Sequence, residues 1–518
     1  MITEPKQQEI SSEDRQPGTP TDVVNTTCTS SMDHTPVVDL DVKQDASTLE
    51  LLNFDILIHI LSYQCENWLI HPAMMKTCHT LYTCGIALLL KSHINFGCNN
   101  ESLLPMFLDF VRYDFSTRAS YLRSLTICAS HLAGVAKEHV DGFVRVVAAA
   151  RNLENLTLFT HCYGRVFIDW SEAFPELASS IMPLTRMKRL KTIVAPHSLK
   201  MLEGLLSPLT MMELFFQRES SLDPTPLLRI SGGSLQTLHL FGARALNGPF
   251  TCPHVETLMI SDVLSGDIDH LPHFFPNLRK LRLVTGENMW SMVNSCNECL
   301  QQSSRPHKWT HLEHLEGSPS ALSTAQVSCR VHHLEVSPIM AIHEVESIHQ
   351  LVSNTTPSSL AIEINVFLSE DSAQAFVLGC IPESASEHLS RLSVSIVFES
   401  EHAESRLLEF GKILESMCTL GHRLPPLSHL CIHVSDRRIE ADELIEVIEP
   451  ASMMRELTAA GHPSLREITV YTGERDVPSG WKLDECSGKR SWIPMSVDET
   501  LALPVPFASW TRPAIAHY

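Results

Sequence analysis

The chain has no apolar run long enough to cross a bilayer. Its longest conspicuous one, Gly85 to Leu90, ends at Lys91, well short of the roughly 18 to 20 residues that a spanning helix requires. Near the start, where an export signal would need an apolar stretch, stand Glu4, Lys6, Glu13, Asp14 and Arg15. Positive charge is scarce: 39 Lys and Arg face 60 Asp and Glu, a formal net charge of −21. Such a chain repels a nucleic-acid backbone and an anionic membrane, so neither is expected as its partner. The 15 cysteines, odd in number and scattered, predict reduced and mostly buried thiols in a protein that is not exported. Together these absences predict a soluble protein of the cytosol or nucleus.

Catalytic motifs are missing as well. There is no Gly-x-Ser-x-Gly elbow, no Gly-x-x-x-x-Gly-Lys-Ser/Thr phosphate loop and no Gly-x-Gly-x-x-Gly after a strand. His343-Glu344 continues to His349, but residues six apart lie on different helix faces and cannot form a zincin pair. Cys296-x-x-Cys299 precedes His307, His311 and His314, with a gap shorter than a zinc finger's linker and no second Cys-x-x-Cys. No enzyme activity, metal or cofactor is expected.

At 518 residues and 44% hydrophobic content the chain folds, and it exceeds what one core supports unless the architecture is repetitive. A repeat is visible. Leu122-Arg-Ser-Leu125-Thr-Ile127, Leu153-Glu-Asn-Leu156-Thr-Leu158, Leu235-Gln-Thr-Leu238-His-Leu240, Val255-Glu-Thr-Leu258-Met-Ile260 and Leu278-Arg-Lys-Leu281-Arg-Leu283 share the pattern Leu-x-x-Leu-x-Leu. Later copies begin at Leu312, Val331, Leu389, Leu427 and Leu465, and Leu360 to Val366 alternates like a half-exposed strand. Helical stretches lie between them, as at Val140 to Ala150, Arg406 to Leu420 and Ala441 to Gly461. This grammar resembles leucine-rich-repeat proteins and implies an irregular α/β solenoid with parallel strands on the concave side and helices on the convex side. A different α/β array whose buried strands begin with leucine is the alternative.

Ahead of the repeats, Ser47 with Glu50 forms a capping box, and Leu52, Phe54, Ile56, Leu57, Ile60 and Leu61 follow. Pro72 can open a second helix carrying Met74, Cys78, Leu81, Tyr82, Leu88 and Leu89. A unit this short buries little of its own surface and calls for a partner or a neighbouring domain. Leu52-Asn53-Phe54-Asp55-Ile56-Leu57, Ile60-Leu61 and Cys78-His79-Thr80-Leu81-Tyr82 are similar to the F-box of fungal F-box proteins, with Asn53 where the family has proline. That resemblance implies a non-catalytic substrate receptor: Leu52, Ile56, Leu57, Ile60, Leu61, Leu81 and Tyr82 bury against the Skp-type adaptor of a cullin ubiquitin ligase, and the repeats present a target protein. The alternative is a scaffold of another complex whose N-terminal helices only cap the solenoid.

The domain order read from the chain is a disordered tail (1–46), the F-box-like helical unit (47–97), a linking helix (98–120), the solenoid (121–472) and a Pro- and Trp-bearing tail or cap (473–518). Target contacts are expected at the x positions between the motif leucines. These include His239 and Met259 and turn basic at Arg279, Lys280 and Arg282. The three cations either steer an acidic or phosphorylated target or neutralise acidic neighbours on adjacent repeats. His314, His332, His333 and His429 also fall at such positions, as solvated surface or as contacts.

Overall fold

An apolar residue at every second position makes each motif a strand, and stacking the motifs in register turns isolated leucines into a continuous wall. The computed structural model describes residues 76, 79–97, 103–159, 168–216, 222–243, 246, 250–261, 271–284, 309–339, 342–366, 373–398, most of 412–436, 464–472, 479–484 and 491–494. Two units divide the chain, Met1–Ile56 and Leu57–Tyr518. The first, with Leu52 and Ile56, lies outside the described residues, as do Leu57, Ile60 and Leu61.

The second unit is an open α/β array. Its strands are β1 (His93–Phe96), β2 (Ser124–Cys128), β3 (Asn155–Phe159), β4 (Arg189–Val194), β5 (Met211–Phe216), β6 (Thr237–Phe241), β7 (Thr257–Ser261), β8 (Lys280–Val284), β9 (His311–Gly317), β10 (Arg330–Ile339), β11 (Ser359–Val366), β12 (Arg391–Phe398), β13 (His429–Asp436), β14 (Glu467–Thr472), β15 (Ser479–Asp484) and β16 (Ser491–Pro494). Among the described residues they form one 16-stranded sheet in sequence order. Pairing is parallel from β1 to β14, and β15 and β16 add antiparallel. This is a solenoid-like parallel sheet.

Register explains the core. The second leucine of each motif meets its counterpart on both neighbouring strands, in the row Leu125, Leu156, Leu190, Met212, Leu238, Leu258, Leu281, Leu315, Leu334, Leu360, Leu392, Leu430, Ile468. All are buried, each worth about 1.5–3 kcal/mol against the exposed state. A second row two residues on runs from Ile127 through Leu158, Leu214, Leu240, Ile260, Leu283, Val336, Ile362 and Val394 to Ile432, with Thr192 and Gly317 at two of its places. The first motif residue is equally buried, and at Leu122, Leu153 and Leu278 it lies two positions before its strand, whereas Leu312 and Val331 lie inside theirs. Here one carbonyl accepts two successive amides: Glu154 and Asn155 donate to Arg123 O, and Arg279 and Lys280 to Glu256 O. The same pairing recurs at the carbonyls of Glu154, Lys188, Thr210, Gln236, Arg279, Ser358, Ser390 and Ser428, so the repeats share one backbone geometry although their lengths differ.

Helices cover the leucine face. They are α1 (His79–Lys91), α2 (Leu103–Arg112), α3 (Phe115–Tyr121), α4 (Ala129–Gly134), α5 (Lys137–Ala149), α6 (Trp170–Ala173), α7 (Pro175–Ile181), α8 (Pro196–Leu202), α9 (Thr225–Ser231), α10 (Leu271–Phe274), α11 (Pro319–Thr324), α12 (Ile342–Thr355) and α13 (Ala373–Cys380). Pro175, Pro196 and Pro319 open their helices where a missing N–H costs nothing. Asp169 starts α6 by accepting the Ser171 N–H (3.1 Å). One buried apolar cluster runs from Ile86 and Leu90 of α1 to Ile468 of β14.

The structure departs from the sequence reading at several points. The stretch read as one linking helix is two, broken after Arg112. The sheet begins at β1, inside the segment read as helical, and β4 and β5 fill a gap in which no motif was recognised. The stretch read as a C-terminal tail or cap carries β15 and β16, which add antiparallel to the end of the sheet. No described helix is long and apolar enough to cross a membrane.

Burial also sets thiol chemistry. It pushes the Cys252 and Cys380 thiols up to about 12 and Cys329 up to about 11. The thiolate is the nucleophile, so the native protein should resist alkylation by iodoacetamide at these three positions at pH 8 and react once unfolded. Mass-spectrometric mapping checks this; rapid native labelling of Cys252 or Cys380 contradicts it.

Candidate functional site

The opposite face of the sheet carries the residues between the leucines. In β5, Met212, Leu214 and Phe216 are buried while Met211, Glu213 and Phe215 are half-buried, and β3, β6 and β8 alternate likewise. Alternation therefore delivers two kinds of surface from one strand.

Across β4 to β10 one row of this face reads Lys191, Glu213, His239, Met259, Arg282, Glu316, Glu335. Lys191 Nζ lies 3.0 Å from Glu213 Oε2, and His239 Nδ1 lies 3.6 Å from Glu213 Oε1. Burial works to raise the Glu213 pKa, but His239 and Lys191 outweigh it and hold the carboxyl below the usual range. One position further along the face, Phe215 and Phe241 stack with centroids 4.2 Å apart and planes 1° from parallel, and Lys191 Nζ sits 5.2 Å from the Phe215 centroid. A cation, an anion and two aromatic rings thus meet at β4 to β6.

A second group lies at β8 to β10. Arg282 Nε is 2.7 Å from Glu316 Oε1. His314 and His333 are register partners, as are Glu316 and Glu335, which makes a two-by-two square on adjacent strands. His314 Nε2 lies 3.6 Å from Glu335 Oε2 and 3.7 Å from Glu316 Oε2, and His333 Nε2 lies 3.6 Å from Glu335 Oε2. The rings of His314 and His333 meet edge to face at 4.8 Å. Glu316 and Glu335 are buried, at 4% and 2% exposure. Burial, with Glu335 nearby, pushes Glu316 up to about 7 against Arg282 and His314. At Glu335 burial acts the same way, but His314 and His333 together bring the carboxyl below its ordinary value. From β10 onward the face holds small buried residues, among them Ser337, Ala361, Ser393 and Ser395.

Of the residues singled out in the sequence, His239 and Arg282 stand on this face half-buried, Lys280 is exposed, and Met259 is only 7% exposed. Arg279 lies just before β8, at the rim, between Glu256 (3.6 Å) and Glu313. Two of the three cations are therefore engaged with acidic neighbours on adjacent repeats. Leu81 is buried at 3% exposure, while Tyr82 is 40% exposed and accepts a hydrogen bond from Arg118 (3.3 Å). His332 and His429 turn to local partners, Ser358 Oγ at 2.7 Å and Glu467 at 2.9 Å. Sequence reasoning missed Lys191, Glu213 and Phe215 because β4 and β5 were not recognised. It missed Glu316 and Glu335 because nothing along the chain marks them as neighbours.

A second cluster, Asp169, Glu172 and His197, also brings donor atoms within 4.8 Å of one another, with Glu172 and His197 exposed. Its Asp169 already caps α6. No protein-family model matches the chain, and no curated protein matches it.

Proposed function

We propose that the chain is the non-catalytic substrate-recognition subunit of a Skp-Cullin-F-box ubiquitin ligase, with residues 47–97 docking the adaptor and the sheet face opposite the described helices holding a target protein. The observation that carries the target-binding half is the two-sidedness of the sheet. Helices take the leucine face, and the other face presents Lys191, Glu213, His239, Phe215 and Phe241 as one patch built from three successive repeats. Strand neighbours about 4.8 Å apart make such residues a single surface, and half-buried aromatic rings beside charges suit a protein partner. The adaptor-binding half rests on the resemblance of Leu52 to Tyr82 to the F-box.

A scaffold reading has an observation of its own. Ile86 and Leu90 of α1 belong to the same buried cluster as the first repeats, which is what a capping helix does. The double substitution Leu57→Asp with Ile60→Asp separates the two. In a ligase receptor, recovery of the adaptor from a co-expression purification falls at least tenfold while the thermal transition stays put. In a capping role the transition falls instead. Absence of adaptor from the wild-type purification in mild salt refutes the ligase reading.

A further inference from the structure

We infer that His314, His333 and Glu335 form a binding site for one divalent transition-metal ion of the zinc class. The inference stands on the geometry of β9 and β10 and not on the proposed ligase role. Two imidazole nitrogens and one carboxylate oxygen, one ligand atom from each residue, lie within 4.8 Å of one another. The Nε2 atoms of His314 and His333 are each 3.6 Å from the same atom, Glu335 Oε2. Metal bonds of about 2.0–2.1 Å in a tetrahedron place ligand atoms about 3.4 Å apart, so each histidine already stands within a few tenths of an ångström of that spacing from Glu335, and the two imidazole nitrogens lie within 4.8 Å of each other. At 3.6 Å these atoms are too far apart for good hydrogen bonds to one another. The buried Nε2 of His314 has no hydrogen-bond partner.

The surroundings are built for the same task. His333 Nδ1 and Ser359 Oγ are 2.9 Å apart. In the tautomer that carries its proton on Nδ1, the ring donates to this hydroxyl and its Nε2 lone pair faces Glu335, as in metal sites where an outer hydrogen bond orients the ligand. The His314 ring stands at 90° to that of His333, which lets both nitrogens converge without a ring clash. Arg282 holds Glu316, the carboxylate register-paired with Glu335. Glu316 is ion-paired to Arg282 and falls outside the set of converging ligand atoms, and the ion's three protein ligands are the two histidines and Glu335. Imidazole with carboxylate favours zinc, and equally admits cobalt(II) as a reporter, over the all-oxygen ions calcium and magnesium. All three ligands rise from the sheet, so the fourth position points off it and takes water.

The test uses the purified full chain, stripped with chelator and then equilibrated with Zn2+ alone or Co2+ alone. Metal content and binding isotherms are expected to show one ion lost in His333→Ala and in Glu335→Gln relative to the parent. His332→Ala, an exposed neighbour bonded to Ser358, should keep it. The Co2+ form should show the ligand-field spectrum of a tetrahedral site without sulfur charge-transfer bands, which separates this site from any held by the chain's cysteines. Ser359→Ala removes no ligand and is expected to weaken affinity about tenfold to a hundredfold. That effect survives as a readout even if Glu335→Gln fails to fold. Equal metal content in parent and His333→Ala, a Co2+ spectrum of thiolate character only, or unchanged affinity in Ser359→Ala each overturns the assignment.

Discussion

Replacing Trp170 by alanine should cost about 3–5 kcal/mol, the usual range for a large aromatic removed from a core. Trp170 is 1% exposed and is among the largest fully buried side chains. Its indole N–H lies 3.1 Å from Thr192 Oγ1 and 3.3 Å from Ile193 O. Thr192 occupies a place in the second apolar row that leucine, isoleucine or valine fills in most other repeats, and its buried hydroxyl is paired twice, accepting from the indole N–H and donating to Ile193 O (3.1 Å). Truncation opens a cavity and removes a donor together. Each repeat touches mainly its neighbours, so the damage should be local. Hydrogen exchange is expected to accelerate in β3, β4 and β5 and to change little in β11 and β12. A loss below about 1 kcal/mol, or uniform acceleration along the sheet, contradicts this account.

Gly317→Val should be nearly as damaging. Gly317 stands in the same row between Leu283 and Val336. A Cβ there would fall inside contact distance of the Leu283 carbonyl oxygen and 3.1 Å from Leu322 Cγ. The obstacle is backbone, and that carbonyl also accepts the Ser318 N–H (3.3 Å), so relief means parting β8 from β9. A cost of about 3 kcal/mol is expected, read as a lower urea midpoint. Gly317→Ala should lie between parent and valine, because its single methyl meets the same oxygen. Equal midpoints for all three chains would show that β8 and β9 have slack.

Much of the sheet was legible because burial on one face forces leucine into every second position. The motifs at Leu122, Leu153, Leu235, Val255, Leu278, Leu389, Leu427 and Leu465 each lead into a strand, and that at Val331 lies within one. Those at β4 and β5 were hidden by chemistry at single sites. β4 has Thr192 where the pattern wants leucine, and β5 has Met212. The face opposite the described helices was legible only as a set of x positions. Which x residues touch depends on register between segments some 20 to 40 residues apart. The pairing of Arg279 with Glu256 and Glu313 and the square of His314, His333, Glu316 and Glu335 emerge only once strands are laid side by side. The histidines at 314 and 333 could be noted in the sequence; that they share Glu335 could not.

The order of the strands has a kinetic consequence. Parallel sheets fold slowly when the strands that pair are far apart along the chain, because a long loop must close before any contact rewards it. Here spatial order copies chain order from β1 to β16, and no pairing closes more than a single repeat. A wider sheet of this kind lengthens the chain without lengthening any loop. Folding can start at any adjacent pair of repeats and grow outward like a zipper, so a very wide sheet keeps the short-range contacts that usually belong to helical bundles.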